Sequence, residues 1–222
     1  GEWLDGKRHG RGVYAYRSGD KYVGEFASGM REGFGVFVGA DTTNNGMIFR
    51  GRRYEGEWRN GKMEGRGLFV HGDGNSYDGD FESGKPHGRG VFTYANGDRF
   101  DGQFVRGKWS GKGTLAYGSG DTYDGELYAG RFHGYGTYSW ADGGGSYVGT
   151  WHNGRKHGRG RRIFSNGNTY EGDFKEGKSH GEGTMSFQSG DVYVGDFEED
   201  VYHGNGVITY AYGDRYEGQF MK

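Results

Sequence analysis

The sequence predicts an all-β protein, an elongated single-layer antiparallel sheet of stacked β-hairpins forming a repeat solenoid. Three observations predict it. An aromatic residue recurs at Tyr22, Tyr54, Tyr77, Phe100, Tyr123, Tyr147, Tyr170, Tyr193 and Tyr216, spaced by 23 residues except for 32 after Tyr22 and 24 after Tyr123. A fixed period in this range marks a repeat architecture. Each recurrence opens an alternating stretch that runs into a turn, as in Tyr54-Glu55-Gly56-Glu57-Trp58-Arg59-Asn60-Gly61. Period-two alternation ending in Asn-Gly is the strongest short-range signal for a two-residue hairpin. The composition agrees: apolar residues are 32%, well below the roughly 45–50% of ordinary globules. Aromatics are 17%, with 51 glycines and one proline. That aromatic content is too high for a disordered chain, so rings packed over glycines in a thin sheet satisfy both facts.

Taken in order, the units are 1–21, 22–53, 54–76, 77–99, 100–122, 123–146, 147–169, 170–192 and 193–215, with a terminal half unit 216–222. No linker or change of composition separates them, which predicts a single array over 1–222. The second aromatic of each unit is Trp3, Phe26, Trp58, Phe81, Phe104, Trp151, Phe174, Phe197 or Phe220, with Leu127 the aliphatic substitute. A turn glycine follows, replaced in the ninth unit by Asp200, a residue that tolerates a left-handed backbone. Gly-x-Gly comes next, from Gly10-Arg11-Gly12 to Gly204-Asn205-Gly206, and loops such as Asn96-Gly97-Asp98 return the chain. The segment Val36–Phe49 carries nine extra residues, and apolar runs flanking Asp41–Asn45 predict a lengthened hairpin projecting from the sheet.

Counting outward from the Asn60-Gly61 turn pairs Trp58 with Met63, Glu57 with Glu64, Gly56 with Gly65, Glu55 with Arg66 and Tyr54 with Gly67. The same count places Asp78 opposite Arg89, Asp101 opposite Lys112, Val23 opposite Phe34, and Glu171 opposite Glu182. It also sets an acid opposite a histidine at Glu2–His9, Asp80–His87, Glu126–His133, Asp173–His180 and Asp196–His203, a favourable cross-strand combination. In this register one face is an aromatic floor with glycine gaps and the other is largely a ladder of charges. The chain starts and stops inside a motif, which suggests a fragment of a longer protein.

Units reading Tyr-x-Gly-x-Trp/Phe, Asn-Gly-Lys and His-Gly-x-Gly resemble MORN repeats (membrane occupation and recognition nexus) over the whole chain, broken by the insertion and one extra residue within Asp142–Ser146. The resemblance implies a non-catalytic module of the kind found in junctional membrane proteins, ciliary radial-spoke heads and cortical scaffolds. It implies a cytoplasmic place at the cytoskeleton or cell cortex.

The residues themselves argue against several chemistries. Net charge is −2, so no global field draws nucleic acid. With no cysteine, thiol catalysis, disulfides and thiolate metal sites are excluded. No apolar run reaches the ~18 residues of a membrane helix. Acid pairs such as Glu171 and Asp173 recur in near-identical surroundings, whereas two catalytic carboxyls need different ones. His9, His87, His133, His157, His180 and His203 share one repeat position, and equivalents about 9.6 Å apart cannot jointly reach a zinc ion. No cofactor is expected.

Two candidate sites remain. The aromatic trough, Tyr54, Trp58, Tyr77, Phe81, Phe100, Phe104, Tyr123, Tyr147, Trp151, Tyr170 and Phe174, is expected to hold a partner's helix or extended peptide. The basic cluster Arg155, Lys156, Arg159, Arg161 and Arg162 is the candidate site for an anion or an anionic phospholipid, with Arg159 and Arg161 on the same side. A membrane tether through that cluster is the alternative function. Arg50, Arg52 and Arg53 form a second, weaker basic run. The unpaired strands at the array ends suggest pairing into homo-oligomers.

Overall fold

The computed structural model describes residues 1–44 and 47–221. Among the described residues all regular structure is strand, arranged as hairpins in chain order within an open antiparallel layer. The chain divides into two compact units, Gly1–Ser110 and Gly111–Lys222, the division falling within the strand Lys108–Ala116. In the first unit the full hairpins are Lys7–Ala15 with Glu2–Leu4, Lys21–Ala27 with Met30–Val38, Arg53–Arg59 with Lys62–Val70, and Ser76–Glu82 with Lys85–Thr93. In the second they are Thr122–Tyr128 with Arg131–Ser139, Gly145–His152 with Arg155–Phe164, Thr169–Lys175 with Lys178–Ser186, and Val192–Glu198 with Val201–Thr209.

The turns follow from residue type. Asn60 and Gly61 take φ of 50° and 76°, and the ninth unit sustains the same shape with Glu199 at 53° and Asp200 at 72°. Two consecutive left-handed residues make the turn whose twist matches that of the flanking strands. Each turn also ties its hairpin to the preceding one, as the Gly61 N–H donates to the Arg31 carbonyl (2.9 Å) and the Gly84 N–H to that of Met63 (2.8 Å).

Beyond the turn the pairing departs from the simple count. Arg59 faces Lys62 and Trp58 faces Met63, but the next pairs are Gly56 with Gly67, Glu55 with Leu68 and Tyr54 with Phe69. Two residues are extruded within each hairpin, and the cause is a glycine. Gly65 sits at φ +56°, and a Cβ there would lie 2.3 Å from a Glu57 carboxylate oxygen. That carboxylate instead accepts the Arg66 N–H (3.4 Å), as Asp80 accepts from Arg89 (3.1 Å) and Asp196 from Asn205 (3.0 Å). The bulge therefore replaces the expected partners: Asp78 faces Val91, Val23 faces Val36, and Glu171 faces Thr184. Arg66 faces Asp80 of the following hairpin. The Glu2–His9 and Asp196–His203 partners stand. An extrusion of two residues preserves the period-two parity, so the two faces remain as the sequence sorts them.

The core is a row of rings laid on paired glycines. Tyr54 is wholly buried, and a Cβ on Gly67 would come within 2.5 Å of its ring. The Tyr54 hydroxyl donates to the Glu57 carbonyl in the bulge (2.8 Å), and Tyr22, Tyr77, Tyr123, Tyr147, Tyr170 and Tyr193 make the equivalent bond. Burial pushes the Tyr22 hydroxyl up to about 12 and raises the others of this row in the same direction. Tyr54 meets Trp58 of its own hairpin edge-on at 5.0 Å and Phe81 of the next at 5.1 Å. The row thus joins each hairpin to its neighbour, the nearest-neighbour logic of a solenoid.

The insertion forms its own two-stranded ribbon, Thr42–Asn44 against Met47–Phe49. Residues 45–46, which link the two strands, lie outside the described residues, and Thr42–Asn44 of the expected Asp41–Asn45 tip is strand. Val36 and Val38 belong to the regular strand Met30–Val38.

Ring burial is worth about 1.5–3 kcal/mol against about 1 kcal/mol net for one hydroxyl bond, and Phe100 occupies the same place without a hydroxyl. Tyr54→Phe is therefore expected to cost ~1 kcal/mol and Tyr54→Ala ~3–5 kcal/mol in chemical denaturation. Equal losses would contradict the primacy of the ring.

Candidate functional site

All eleven rings of the expected trough are buried, the most exposed being Trp151 at 7%. They are the floor of the ring-bearing face and do not themselves meet solvent. Sequence periodicity assigns a side chain to a face but says nothing of depth, so the accessible residues were missed. They lie in three further rows. One follows the turn by two residues: Arg8, Arg31, Met63, Pro86, Trp109, Phe132, Lys156, Ser179 and Tyr202, of which Ser179 alone is buried. These cap the buried row, with Phe132 stacked on Tyr123 at 3.8 Å, Tyr202 on Tyr193 at 3.8 Å and Trp109 on Phe100 at 4.7 Å. The second row includes Phe69, Phe92 and Tyr138, and the third Tyr94, Trp140 and Phe164, all half-buried. Rings of these rows touch, as Phe92 with Tyr94 at 4.6 Å and Tyr138 with Trp140 at 4.8 Å.

In the first unit this face opens into a cleft of about 370 Å³ lined by Arg31, Phe37, Arg52, Trp58, Met63 and Phe69 among others. The Arg31 guanidinium lies 3.9 Å from the Trp58 ring centroid and donates to the Gly61 carbonyl (2.8 Å). Arg52 stands 5.7 Å over Phe37. Its presence breaks a pattern. At the position two before the first aromatic, Asp20, Asn75, Asp121, Asn168 and Asp191 accept a backbone N–H from Ala40, Ala95, Ala141, Gln188 and Ala211 respectively, at 2.8–3.0 Å. Arginine has no acceptor, so this loop-to-loop bond cannot form at Arg52. The alignment of repeats carried this signal.

The five residues of the basic cluster do not form one patch. Arg155 pairs with Glu176 beside the turn. Lys156 and Arg162 turn to the ring-bearing face, Lys156 Nζ at 5.2 Å from the Phe174 ring and Arg162 at 4.6 Å from Phe164 and 4.8 Å from Trp140. Arg159 and Arg161 lie together on the opposite face, as their shared side predicts, lining a broad groove of about 900 Å³ with Glu171, Glu182 and Asp196. Arg159 is 3.4 Å from Asp173. Alternation along one strand is what separates Lys156 and Arg162, two of its even positions, from Arg159 and Arg161, two of its odd ones.

The charged face is not uniformly charged either. Val13, Val23 and Val36 pair side by side across three strands with Phe34 exposed beside them. His87 and His203 approach Glu82 (3.1 Å) and Glu198 (3.7 Å), two residues along the strand from the expected Asp80 and Asp196, whose carboxylates serve the bulges. His152 stands between His133 and His157, with centroids at 5.1 and 5.8 Å. Among the described residues no three His, Cys, Asp or Glu side chains are placed to share a metal ion.

Burial, with Arg162 adjacent, lowers the Lys156 ammonium to about 8. A lysine whose folded value lies below its unfolded one penalises the fold while charged, and the penalty fades as pH rises through the folded value. Lys156→Met, which copies Met63, is expected to raise the melting temperature by a few degrees at pH 7, and the gap should narrow steadily as pH rises from about 8 towards 10.5. A gap independent of pH would assign the gain to packing alone.

The arrangement of these hairpins corresponds to a known repeat. The MORN repeat model matches residues 1–21, 22–43, 54–76, 77–99, 100–122, 123–145, 147–169, 170–192 and 193–215. No curated protein sequence matches the chain. Among solved structures, the SAS-4 (dCPAP) TCP domain of Drosophila melanogaster, in complex with a proline-rich motif of Ana2 (dSTIL), is similar at TM-score 0.43 and 13% identity, over 70% of this chain and 84% of that one. The G-box domain of the microcephaly protein CPAP is similar at TM-score 0.43 and 10% identity, over 82% and 99%. The TCP10 domain of Danio rerio CPAP, in complex with a STIL peptide, is similar at TM-score 0.38 and 10% identity, over 95% and 99%. Nine consecutive matches, on hairpins whose tyrosines, glycines and turns recur in register, show that the chain belongs to the MORN-repeat family.

Proposed function

We propose that this chain is a non-catalytic scaffold that binds a helix or extended segment of a partner protein on its ring-bearing face. The observation that carries the reading is the layering of that face. The buried tyrosine and phenylalanine row holds the fold, while half-buried rings such as Phe69, Phe92, Tyr94, Tyr138 and Trp140 remain above it. Adjoining rings, Phe92 with Tyr94 in one unit and Tyr138 with Trp140 in the other, are the kind of aromatic surface that marks interaction sites, and aromatic anchors dominate protein interfaces. The expected trough is kept in a revised form, its eleven residues forming the floor and the outer rows the contact. Family membership supports a scaffold, and a cytoskeletal or cortical place of action is part of the proposal. The membrane alternative has less support, since only Arg159 and Arg161 of its five basic residues share a groove.

Site-specific photo-crosslinking tests this. A benzoylphenylalanine at position 92 or 138 is expected to form adducts with the partner in cell extract, while the same group at Arg66 or Lys112 should form none. Phe92→Ala and Tyr138→Ala are each expected to weaken the purified complex about tenfold, a cost of ~1.4 kcal/mol. Adducts confined to the charged face would overturn the reading.

A further inference from the structure

We infer that the Arg31–Arg52 cleft of the first unit reads a carboxylate, so that the bound partner segment carries an Asp or Glu side chain beside an apolar one. This rests on the ring-bearing face being the protein-binding surface and adds the chemistry of its occupant. Four observations carry it.

The first is placement. Arg31 and Arg52 both line the same cleft, with Phe37, Trp58, Met63 and Phe69 around them. The second is rigidity. Arg31 is clamped flat on Trp58 at 3.9 Å and tethered to the Gly61 carbonyl at 2.8 Å, which leaves the other N–H groups of its fork without a protein acceptor among the described residues. A pre-organised, partly desolvated guanidinium is suited to paired bonds with a carboxylate.

The third observation is charge reversal. Arg52 occupies the position where Asp20, Asn75 and Asp121 each accept a loop N–H. The exchange forfeits that bond and adds a cation above the ring floor. The fourth is the missing counter-ion. The cleft lining holds Arg31, Arg52 and Lys62 against one carboxylate, Asp20. Asp20 is already committed, accepting from the Ala40 N–H (2.8 Å) and the Ser18 hydroxyl (2.9 Å). These bonds hold its carboxyl below the usual range, and Arg52 is near enough to help. Neither arginine is within ion-pair distance of it among the described residues, so one carboxylate stands against three cations. The cations therefore await a negative charge from outside, and the surrounding rings select a neighbour that is apolar. A side-chain carboxylate on a peptide meets both conditions.

The test is peptide selection on the whole chain. A phage-displayed library of random peptides is panned on the natural sequence and on Arg52→Asp and Arg31→Met. Arg52→Asp restores the acid of the other repeats and Arg31→Met copies Met63, so melting temperatures are expected to hold. Wild-type selections should enrich Asp or Glu at one aligned position next to an aromatic or aliphatic residue. The resynthesised peptide should bind at least tenfold more tightly than its Gln or Asn analogue, and Arg52→Asp should erase that difference. Peptides that bind without acidic preference, or whose preference survives both variants, would overturn this inference and leave the binding face standing. A phosphoserine analogue binding tenfold more tightly than the carboxylate would assign the cleft to phosphate and overturn it too. Failure of any peptide to enrich would remove the binding face and this inference together.

Discussion

A tyrosine ring seated on two paired glycines is the constraint on which every hairpin depends. The ring needs bare backbone beneath it, which is why Gly56 and Gly67 face each other and why a Cβ at Gly67 would meet the Tyr54 ring at 2.5 Å. Its hydroxyl needs an acceptor, and the bulge supplies the Glu57 carbonyl. The bulge in turn needs a left-handed residue at Gly65, and a polar side chain ties it, the Glu57 carboxylate taking the Arg66 N–H here and the Thr150 hydroxyl donating to the Arg159 carbonyl in the seventh unit. Tyrosine, glycine pair, bulge glycine and polar side chain are thus one device, repeated. A thin sheet with little apolar residue can be stable because each ring is shared between its own hairpin and the next.

This device separates the residues that make the fold from those that can carry recognition. The buried row tolerates little beyond Tyr-to-Phe exchange, as at Phe100. The row that caps it accepts arginine, methionine, proline, tryptophan, phenylalanine, lysine, serine and tyrosine at Arg8 to Tyr202. A guanidinium and an aromatic ring cover the same platform interchangeably, because both are flat and both favour the face of a ring. Surface chemistry can change from hairpin to hairpin while the frame stays constant.

The turns were legible in the sequence because Asn60-Gly61 names residues that accept positive φ. The two faces were legible because alternation is read directly and a two-residue extrusion leaves parity intact. The register was not, since Gly-x-Gly does not say which glycine packs and which bulges; only the geometry distinguishes Gly65 from Gly67. The face of each ring was legible but its depth was not, for Tyr54 and Phe69 alternate alike yet one is wholly buried and the other is not. The basic cluster divides by the same alternation, Lys156 and Arg162 falling to one face and Arg159 and Arg161 to the other.

The loop bond missing at Arg52 has a consequence for cooperativity. Elsewhere in the first unit, Asp20 and Asn75 clip one loop to the next. Where the clip is absent, neighbouring hairpins keep their rings, strand bonds and the turn bonds at the opposite end, and local opening is cheapest at such seams. Amide protons of the loop at His71–Asn75 will exchange with solvent faster than those of the loop at Tyr94–Asp98, so that the array breathes first beside the cleft a partner would enter.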